Sequence, residues 1–538
     1  MSTPTHWDYI IVGAGSAGCV LAARLTENPD AQVLLIEGGG TDRSDLCRVP
    51  GMVSIIHTVP QVKKKYDWGY KTAPKPLTLD RKIPYIRGKV LGGSSAINGM
   101  VFVRGHRTNY EDWAAQGCTG WGWDDVLPYF KRLEDYEGGA SELRGAGGPI
   151  KVSKPTDISP VSEAWQHAVS STCGVPIIDD YNGEQQEGAG LWQLSARDGI
   201  RYSSSEAYLH PHMDRDNLTV VTGGLVHKVI IQQGRATGVA YSVSGELTEA
   251  HASTGVILSA GSIGTPAILM RSGVGPAEHL ASLDIDVNAD LPVGQNLHDH
   301  IFFPLTFLTP RGGHKGTALH FFSGMIKEKI FGGTWFGRSV FESVAFVKLR
   351  SDAKVPDLQL HSLPWAYPSP NQDNTEVRPD VDKRPAFTIL PTLIYPESRG
   401  ELRLRSTDPD EAPHIDPNYL AEPRDVQTLI EGVGLTREIM ADPAIAGEVT
   451  GELHPAEDAA TEAQLRQELP HRICTVYHPV GTCRMGVDER AVVGPDLRVR
   501  GIDGLWVADA SIFPTITGGN TNAPCLMIGE RAADLIRE

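Results

Sequence analysis

"DYIIVGAGSAGCVLAARLTENPDAQVLLIEGGG", from Asp8 to Gly40, decides the fold. Tyr9 to Val12 is a continuous apolar run, as in a strand covered on both faces, and Val20, Leu21 and Leu25 recur behind it at helical spacing. Val33 to Ile36 repeats the buried-strand pattern and ends at Glu37, so the stretch reads as one βαβ unit. Its glycines fall where such a unit needs them: Gly13 in the tight turn, Gly15 where a backbone approaches a pyrophosphate, and Gly18 where helix packs on strand. The pyrophosphate is expected at the N-terminus of the helix beginning near Ser16, where free N–H groups and the helix dipole favour an anion. Glu37, at the end of the second strand, is placed to accept from the adenosine ribose hydroxyls, and its charge disfavours a 2′-phosphate. The cofactor is therefore NAD or FAD, and this motif alone does not separate them.

At 538 residues the chain is long enough for two domains or one heavily elaborated domain. Its net charge of −17 opposes binding to the phosphate backbones of nucleic acid and to anionic membrane surfaces, although a global sum says little about one local site. Cys19, Cys47, Cys118, Cys173, Cys474, Cys483 and Cys525 are odd in number and scattered, unlike a secreted disulfide framework. The N-terminus, MSTPTHWDYIIVGAG, has no basic region ahead of its first apolar strand, and no segment holds the run of apolar residues a membrane span requires. A cytoplasmic address is the expectation.

Two further segments carry glycine and serine loops, "RGKVLGGSSAINGMVFVRG" (Arg87–Gly105) and "GVILSAGSIGTPAILMRSGVGP" (Gly255–Pro276). In the second, Val256–Leu258 reads as a buried strand, Gly261 and Gly264 as a turn, and Ala267–Met270 as helix. Near the C-terminus, Leu505–Ala508 reads as a strand closed by Asp509, and a helix is expected from near Ala523. Between them lies "VYHPVGTCRMG" (Val476–Gly486), which sets His478 between Cys474 and Cys483. Three such ligands are too few for a closed zinc site, and the chain has no CxxC and no HExxH. A catalytic base and a core histidine are the readings left open by the residues alone.

Taken together, the βαβ fingerprint, RGKVLGGSSAIN, AGSIGTP and the terminal HPVGTCRMG, ADASIFP and GGNTNAP segments resemble the glucose-methanol-choline (GMC) oxidoreductases, choline dehydrogenase-like proteins among them. YDWGYKTAP (Tyr66–Pro74), VGQNLHDH (Val293–His300), ESRGELRLRSTDP (Glu397–Pro409) and HIDPNYL (His414–Leu420) extend the resemblance nearly end to end. It implies an α/β (α+β overall) protein: a Rossmann-like FAD-binding domain of GMC type with a discontinuous sheet-plus-helix substrate-binding cap. The implied division assigns 1–150, 201–304 and 476–538 to the FAD-binding domain, and 151–200 and 305–475 to the cap.

The resemblance also implies FAD, held by Gly13, Gly15, Ser16, Gly18 and Glu37 at its ADP half. Gly92, Gly93, Ser94 and Asn98 would lie along the pyrophosphate and flavin, Val226 at the adenine, and Asp509 and Ala510 near the ribityl chain. Choline oxidases of the family carry a flavin-linked histidine where this chain has Ile97, so the FAD is expected to be noncovalent. His478 would face the flavin as general base, with Asn520 beside it to stabilise the alkoxide while hydride passes to flavin N5. Cys474 and Cys483 then become buried packing residues, and His300 and His361 are read as structural.

The expected substrate is a primary, largely neutral alcohol, since no dense carboxylate cluster for a quaternary ammonium group is legible. Electrons would pass to a quinone, a carrier or O2, with dehydrogenase preferred over oxidase. A hydroxynitrile lyase that uses FAD without redox turnover, a noncatalytic flavin protein and an NAD dehydrogenase are the rivals. Oligomeric state is left open. Within "ALHFFSGMIKEKIFGGTWFG" (Ala318–Gly337), Phe321, Phe322, Met325, Ile326 and Ile330 are expected on one face of a helix turned to the core, a lid being the second reading and peripheral membrane contact the third. Trp365 and Tyr367 are candidates for the pocket wall.

Overall fold

The computed structural model describes residues 6–310, 312–367 and 382–537. Residues 1–5, on which part of the N-terminal reading rests, lie outside these. The opening βαβ unit forms as its pattern demands, with β1 (Trp7–Val12), α1 (Ser16–Leu25) and β2 (Val33–Glu37). β1 and β2 run parallel, Val12 facing Ile36, and every residue of β2 is buried.

Around them grows a seven-stranded sheet, joined by β4 (Leu218–Thr222), β5 (Gly224–Gln232), β6 (Arg235–Val243), β7 (Glu246–Leu258) and β15 (Leu505–Val507) in the order β4-β2-β1-β7-β6-β5, with β15 against β7. The long strand β7 changes character along its length. Its exposed first half pairs antiparallel with β6, whereas Gly255–Leu258 is buried between parallel neighbours β1 and β15. That continuous burial is why Val256–Leu258 has no alternation in sequence. α2 (Gly261–Arg271) follows at once, so Gly264, expected in a turn, lies within the helix. Gly261, at φ +78°, makes the corner.

A second sheet of eight strands is largely antiparallel and forms the cap. It comprises β3 (Gly188–Leu191), β8 (Ile301–Phe302), β9 (Leu305–Leu308), β10 (Ser343–Val347), β11 (Leu358–Leu363), β12 (Ala386–Leu393), β13 (Gly451–His454) and β14 (Cys474–Thr475). Its main path is β13-β9-β12-β11-β10-β3, and β8 joins β12 to β14. β10, β11 and β12 are buried on both faces although β11 carries Gln359 and His361. Short strands β8 and β14 pair as Ile301↔Thr475 and Phe302↔Cys474, and the bridge His298↔Val480 continues the seam. His478 therefore sits where the cap sheet runs back into the nucleotide half.

α3 (Ala318–Phe331) forms where the period predicts a helix, but its apolar residues divide. Phe321 and Met325 turn inward beside buried Gly324, while Phe322, Ile326 and Ile330 face solvent. The expectation of one core-facing apolar side is corrected on this point: Gly324 takes the inward position because a Cβ there would stand 2.2 Å from the Trp335 ring.

Candidate active site

The glycines of the first loop are held by steric necessity. A Cβ on Gly13 would stand 2.6 Å from the Ser259 carbonyl oxygen, and one on Gly18 would stand 1.9 Å from that of Gly13. Gly15 differs, with nothing nearer than 3.8 Å, which leaves its face open. Gly93, at φ +53°, lies so close that its Cβ would be 2.8 Å from Gly15 Cα, and the Gly92 N–H donates to the Ala14 carbonyl at 2.7 Å. Two backbone loops thus meet at the N-terminus of α1, whose N-cap Gly15 supplies no side-chain acceptor for the free N–H groups. Ser16 Oγ donates to Asn522 Oδ1 at 2.7 Å, joining this point to the first turn of α4 (Asn522–Arg537).

Glu37 closes the far end. Its carboxylate accepts from the Ala14 N–H at 2.9 Å and the Gly39 N–H at 2.7 Å, and burial raises its pKa to about 7 despite both bonds. Each oxygen retains a lone pair for a hydroxyl donor. Val226 is buried on β5, whose first residue, Gly224, packs against Ile36 at the end of β2.

Ser94 Oγ accepts from the Gly88 N–H at 3.2 Å, and Asn98 Oδ1 accepts from Met100 N–H and Arg201 Nη1 at 2.9 and 2.8 Å. Ile97 is buried, and its carbonyl is bonded at 2.9 Å to the Nε2 of His57. Asp509 Oδ2 accepts from Gly261 N–H and Thr265 Oγ1, and Oδ1 from Ser511 N–H. Asp509 thus fastens the start of α2 to the turn holding Ala510, whose carbonyl accepts from the Gly481 N–H. An open, glycine-walled cradle at an uncapped helix end, with a buried carboxylate beyond it, fits the pyrophosphate and ribose of a dinucleotide.

At the seam, His478 and Asn520 come together, Asn520 Nδ2 lying 3.2 Å from His478 Nε2. The other ring nitrogen, Nδ1, is 3.0 Å from His300 Nδ1, and His300 Nε2 is 3.0 Å from the Ile394 carbonyl oxygen. A carbonyl only accepts, so His300 must carry its proton on Nε2 and, being neutral, accept at Nδ1. His478 must therefore donate from Nδ1, and its Nε2 is an unprotonated lone pair facing the Asn520 amide. Gln359 Nε2 donates to Asn520 Oδ1 at 3.3 Å and orients that amide. Burial, then the neighbouring His300, His361 and Arg87, push the His478 pKa well below its ordinary range, and burial takes His300 down to about 3.

The backbone of His478 is fixed as firmly. Its N–H donates to Asp299 Oδ1 at 2.7 Å, while Asp299 Oδ2 accepts from the hydroxyls of Thr475 and Tyr419. Tyr477 holds the left-handed conformation at φ +65°, strained for a residue with a side chain, and Arg87 donates to its carbonyl. Cys474 and Cys483 are buried on either side, and burial raises both thiols.

The sequence reading does not reach Asp299 and gives His300 a structural role, whereas in the fold His300 bonds His478. The signal present was the run His298-Asp299-His300, three ionisable side chains in a row between apolar residues, all buried in the fold. His361 is buried with both ring nitrogens unbonded, 5.0 Å from the Trp192 ring and 5.8 Å from that of Phe341. Tyr367 packs edge-on against Phe302 at 5.6 Å, and Trp365 lies 5.1 Å from Trp335.

A dinucleotide cradle of this kind, together with a buried histidine–amide pair at the edge of an antiparallel cap, fits a class, the dinucleotide-dependent oxidoreductases. Comparison with known proteins narrows it. Residues 7–302 and 396–529 match the GMC oxidoreductase family, and the chain belongs to that family.

An oxygen-dependent choline dehydrogenase of Photobacterium profundum is 39% identical over 544 residues, covering 99% of this chain and 93% of the relative. Among solved structures, pyridoxine 4-oxidase from Mesorbium loti superposes with a TM-score of 0.87 at 30% identity, covering 98% of each chain. A variant formate oxidase of Aspergillus oryzae gives 0.89 at 26% identity, covering 100% of this chain and 99% of its own. The protein is an FAD-dependent oxidoreductase acting on CH–OH donors, and isoleucine at position 97 is consistent with noncovalent FAD.

Proposed function

We propose that the protein oxidises a primary, uncharged alcohol to its aldehyde, with His478 as general base and Asn520 as the amide that steadies the alkoxide. The observation that carries this reading is the hydrogen-bond chain Ile394–His300–His478–Asn520–Gln359, which leaves one basic lone pair beside one neutral donor. Bound FAD supplies the two-electron acceptor. The chain's own residues do the rest: Nε2 of His478 takes the hydroxyl proton, and Asn520 Nδ2 donates to the oxygen as charge develops on it. A neutral imidazole in a dry site is poised for that proton, since nothing must first be removed from it. His300 is a positioning residue that fixes the tautomer and touches no substrate.

The FAD contacts proposed are the backbone of Gly13, Gly15, Ser16, Gly18, Gly92 and Gly93, with Glu37 at the ribose, Val226 at the adenine, and Ser94, Asn98, Asp509 and Ala510 along the remainder. An uncharged substrate is favoured because the groups bearing on the His478 ring are Arg87 and two histidines, which offer a cation no attraction. Reduced cofactor would be reoxidised by a quinone or carrier. Oxygen is the second reading, favoured by the relatives named as oxidases and as an oxygen-dependent dehydrogenase.

The test is an anaerobic absorbance spectrum with a panel of primary alcohols, choline included, followed by a soluble quinone and then air. Bleaching by uncharged alcohols and recovery with quinone is the expected result. Bleaching by choline alone would overturn the substrate class, and a flavin left oxidised throughout would overturn the redox reading.

A further inference from the structure

α3 turns a hydrophobic stripe to solvent. Leu319, Phe322, Ile326 and Ile330 recur at steps of three and four residues, so they lie on one face, and they are 82%, 52%, 54% and 65% exposed. The helix is not loose. Its inner face is anchored where Phe321 packs edge-on against Phe336 at 5.0 Å and Glu328 accepts from both the N–H and the hydroxyl of Thr334. Phe331, 79% exposed, ends the helix at Gly332 and Gly333. An anchored helix that turns a contiguous apolar face to water marks a docking surface.

The charge around the stripe indicates which partner. On the helical wheel Lys327 and Lys329 lie on opposite edges of the stripe, and Lys315 stands just ahead of the helix; all three are exposed. They gather in a chain whose net charge is −17. Pairing with a second copy of the same face would bring these lysines together, a repulsive arrangement. An anionic lipid surface accepts both features at once, apolar side chains among the acyl chains and lysines at the headgroups.

The position of the helix gives this docking a use. Behind it His314, His320, Trp335 and Trp365 form one ring cluster with centroids 4.8 to 5.6 Å apart. Tyr367, two residues beyond Trp365, packs on Phe302, in the same apolar cluster as Cys474 and Val476, next to His478. No helix of the described residues is long and apolar enough to cross a membrane, so contact through α3 would be peripheral.

We propose that α3 docks the protein on an anionic membrane surface by inserting the Leu319–Phe322–Ile326–Ile330 stripe between lysines 327 and 329. The inference stands whether the alcohol or the acceptor assigned above is right.

The test is flotation of the full-length holoprotein with phosphatidylcholine vesicles containing or lacking phosphatidylglycerol, at low and high salt. The wild-type protein is expected to float with the anionic vesicles and less at high salt. Phe322→Glu combined with Ile330→Glu should cut binding roughly tenfold or more, and Lys327→Glu combined with Lys329→Glu should cut it by a similar factor and remove the salt dependence. Both variants are surface changes, and unchanged flavin absorbance and unfolding temperature would certify their fold. A wild-type protein that fails to float, or binding untouched by the first variant, overturns the proposal. A dimer in solution that the first variant converts to monomer, without flotation, overturns it as well and assigns the stripe to a second copy.

Discussion

The two sheets solve opposite problems. In the nucleotide half the site is made of backbone: Gly13, Gly15, Gly18 and Gly93 leave space or contact that a Cβ would fill, and the titratable groups, Glu37 and Asp509, are spoken for by N–H and hydroxyl donors. At the cap seam the site is made of side chains, with His298, His300, His361, His478 and Asp299 all taken out of water. The first construction tolerates almost no change of shape. The second is vulnerable to charge. Nucleotide binding can therefore be lost through one methyl group, whereas the chemistry can be lost through one proton.

The sharpest way to test that contrast is to remove the base and keep the shell. His478→Ala should lower turnover by about 10²–10⁴-fold while the flavin absorbance of the purified protein stays at the wild-type level. Near-full turnover would end the assignment of the base.

The reverse experiment acts on the other half. Gly18→Ala places a methyl group 1.9 Å from the Gly13 carbonyl oxygen, which is backbone and cannot swing away. It should yield protein largely without flavin and with a lower unfolding temperature, read from the ratio of flavin to protein absorbance. Full flavin content would show that the loop yields where the geometry says it cannot.

A smaller effect is expected at His300, which only positions. His300→Phe keeps the ring but removes the acceptor for His478 Nδ1, freeing the tautomer, and should lower turnover roughly tenfold to a hundredfold with KM little changed and the pH profile displaced. A purely packing role would leave the pH profile where it was.

The last effect is spread over several residues and falls on stability against pH. Burial takes His298, His300 and His361 down to about 3. Below about pH 6.5 the unfolded chain binds protons that these folded histidines refuse, so stability is complete above that value and falls as pH drops toward 3. At pH 5 each costs about 2 kcal/mol by that linkage. Unfolding temperatures measured from pH 7.5 down to 5 should show the loss, and His361→Phe should flatten the slope, since neither ring nitrogen of His361 has a partner to lose.

The same contrast explains what the sequence could be read for. Gly13, Gly18 and Glu37 stand at offsets dictated by strand and helix geometry within one unit, so their meaning survives translation into spacing. The partners of His478 do not, because His300 is 178 positions away and Asn520 42. Only the resemblance brought Asn520 to His478, and nothing brought Asp299 or the orienting role of Gln359. In α3 the helical period was legible but the division of its apolar residues was not, since sequence cannot tell Phe321, which packs on Phe336, from its neighbour Phe322, which faces water.

The seam also limits where a proton can go. The chain from His478 through His300 ends on the carbonyl of Ile394, which has no proton to give and cannot keep one. It is a dead end and not a wire: along this branch a proton taken up by His478 in the proposed reaction goes no further than His300, and it leaves the ring again on the Nε2 side that received it.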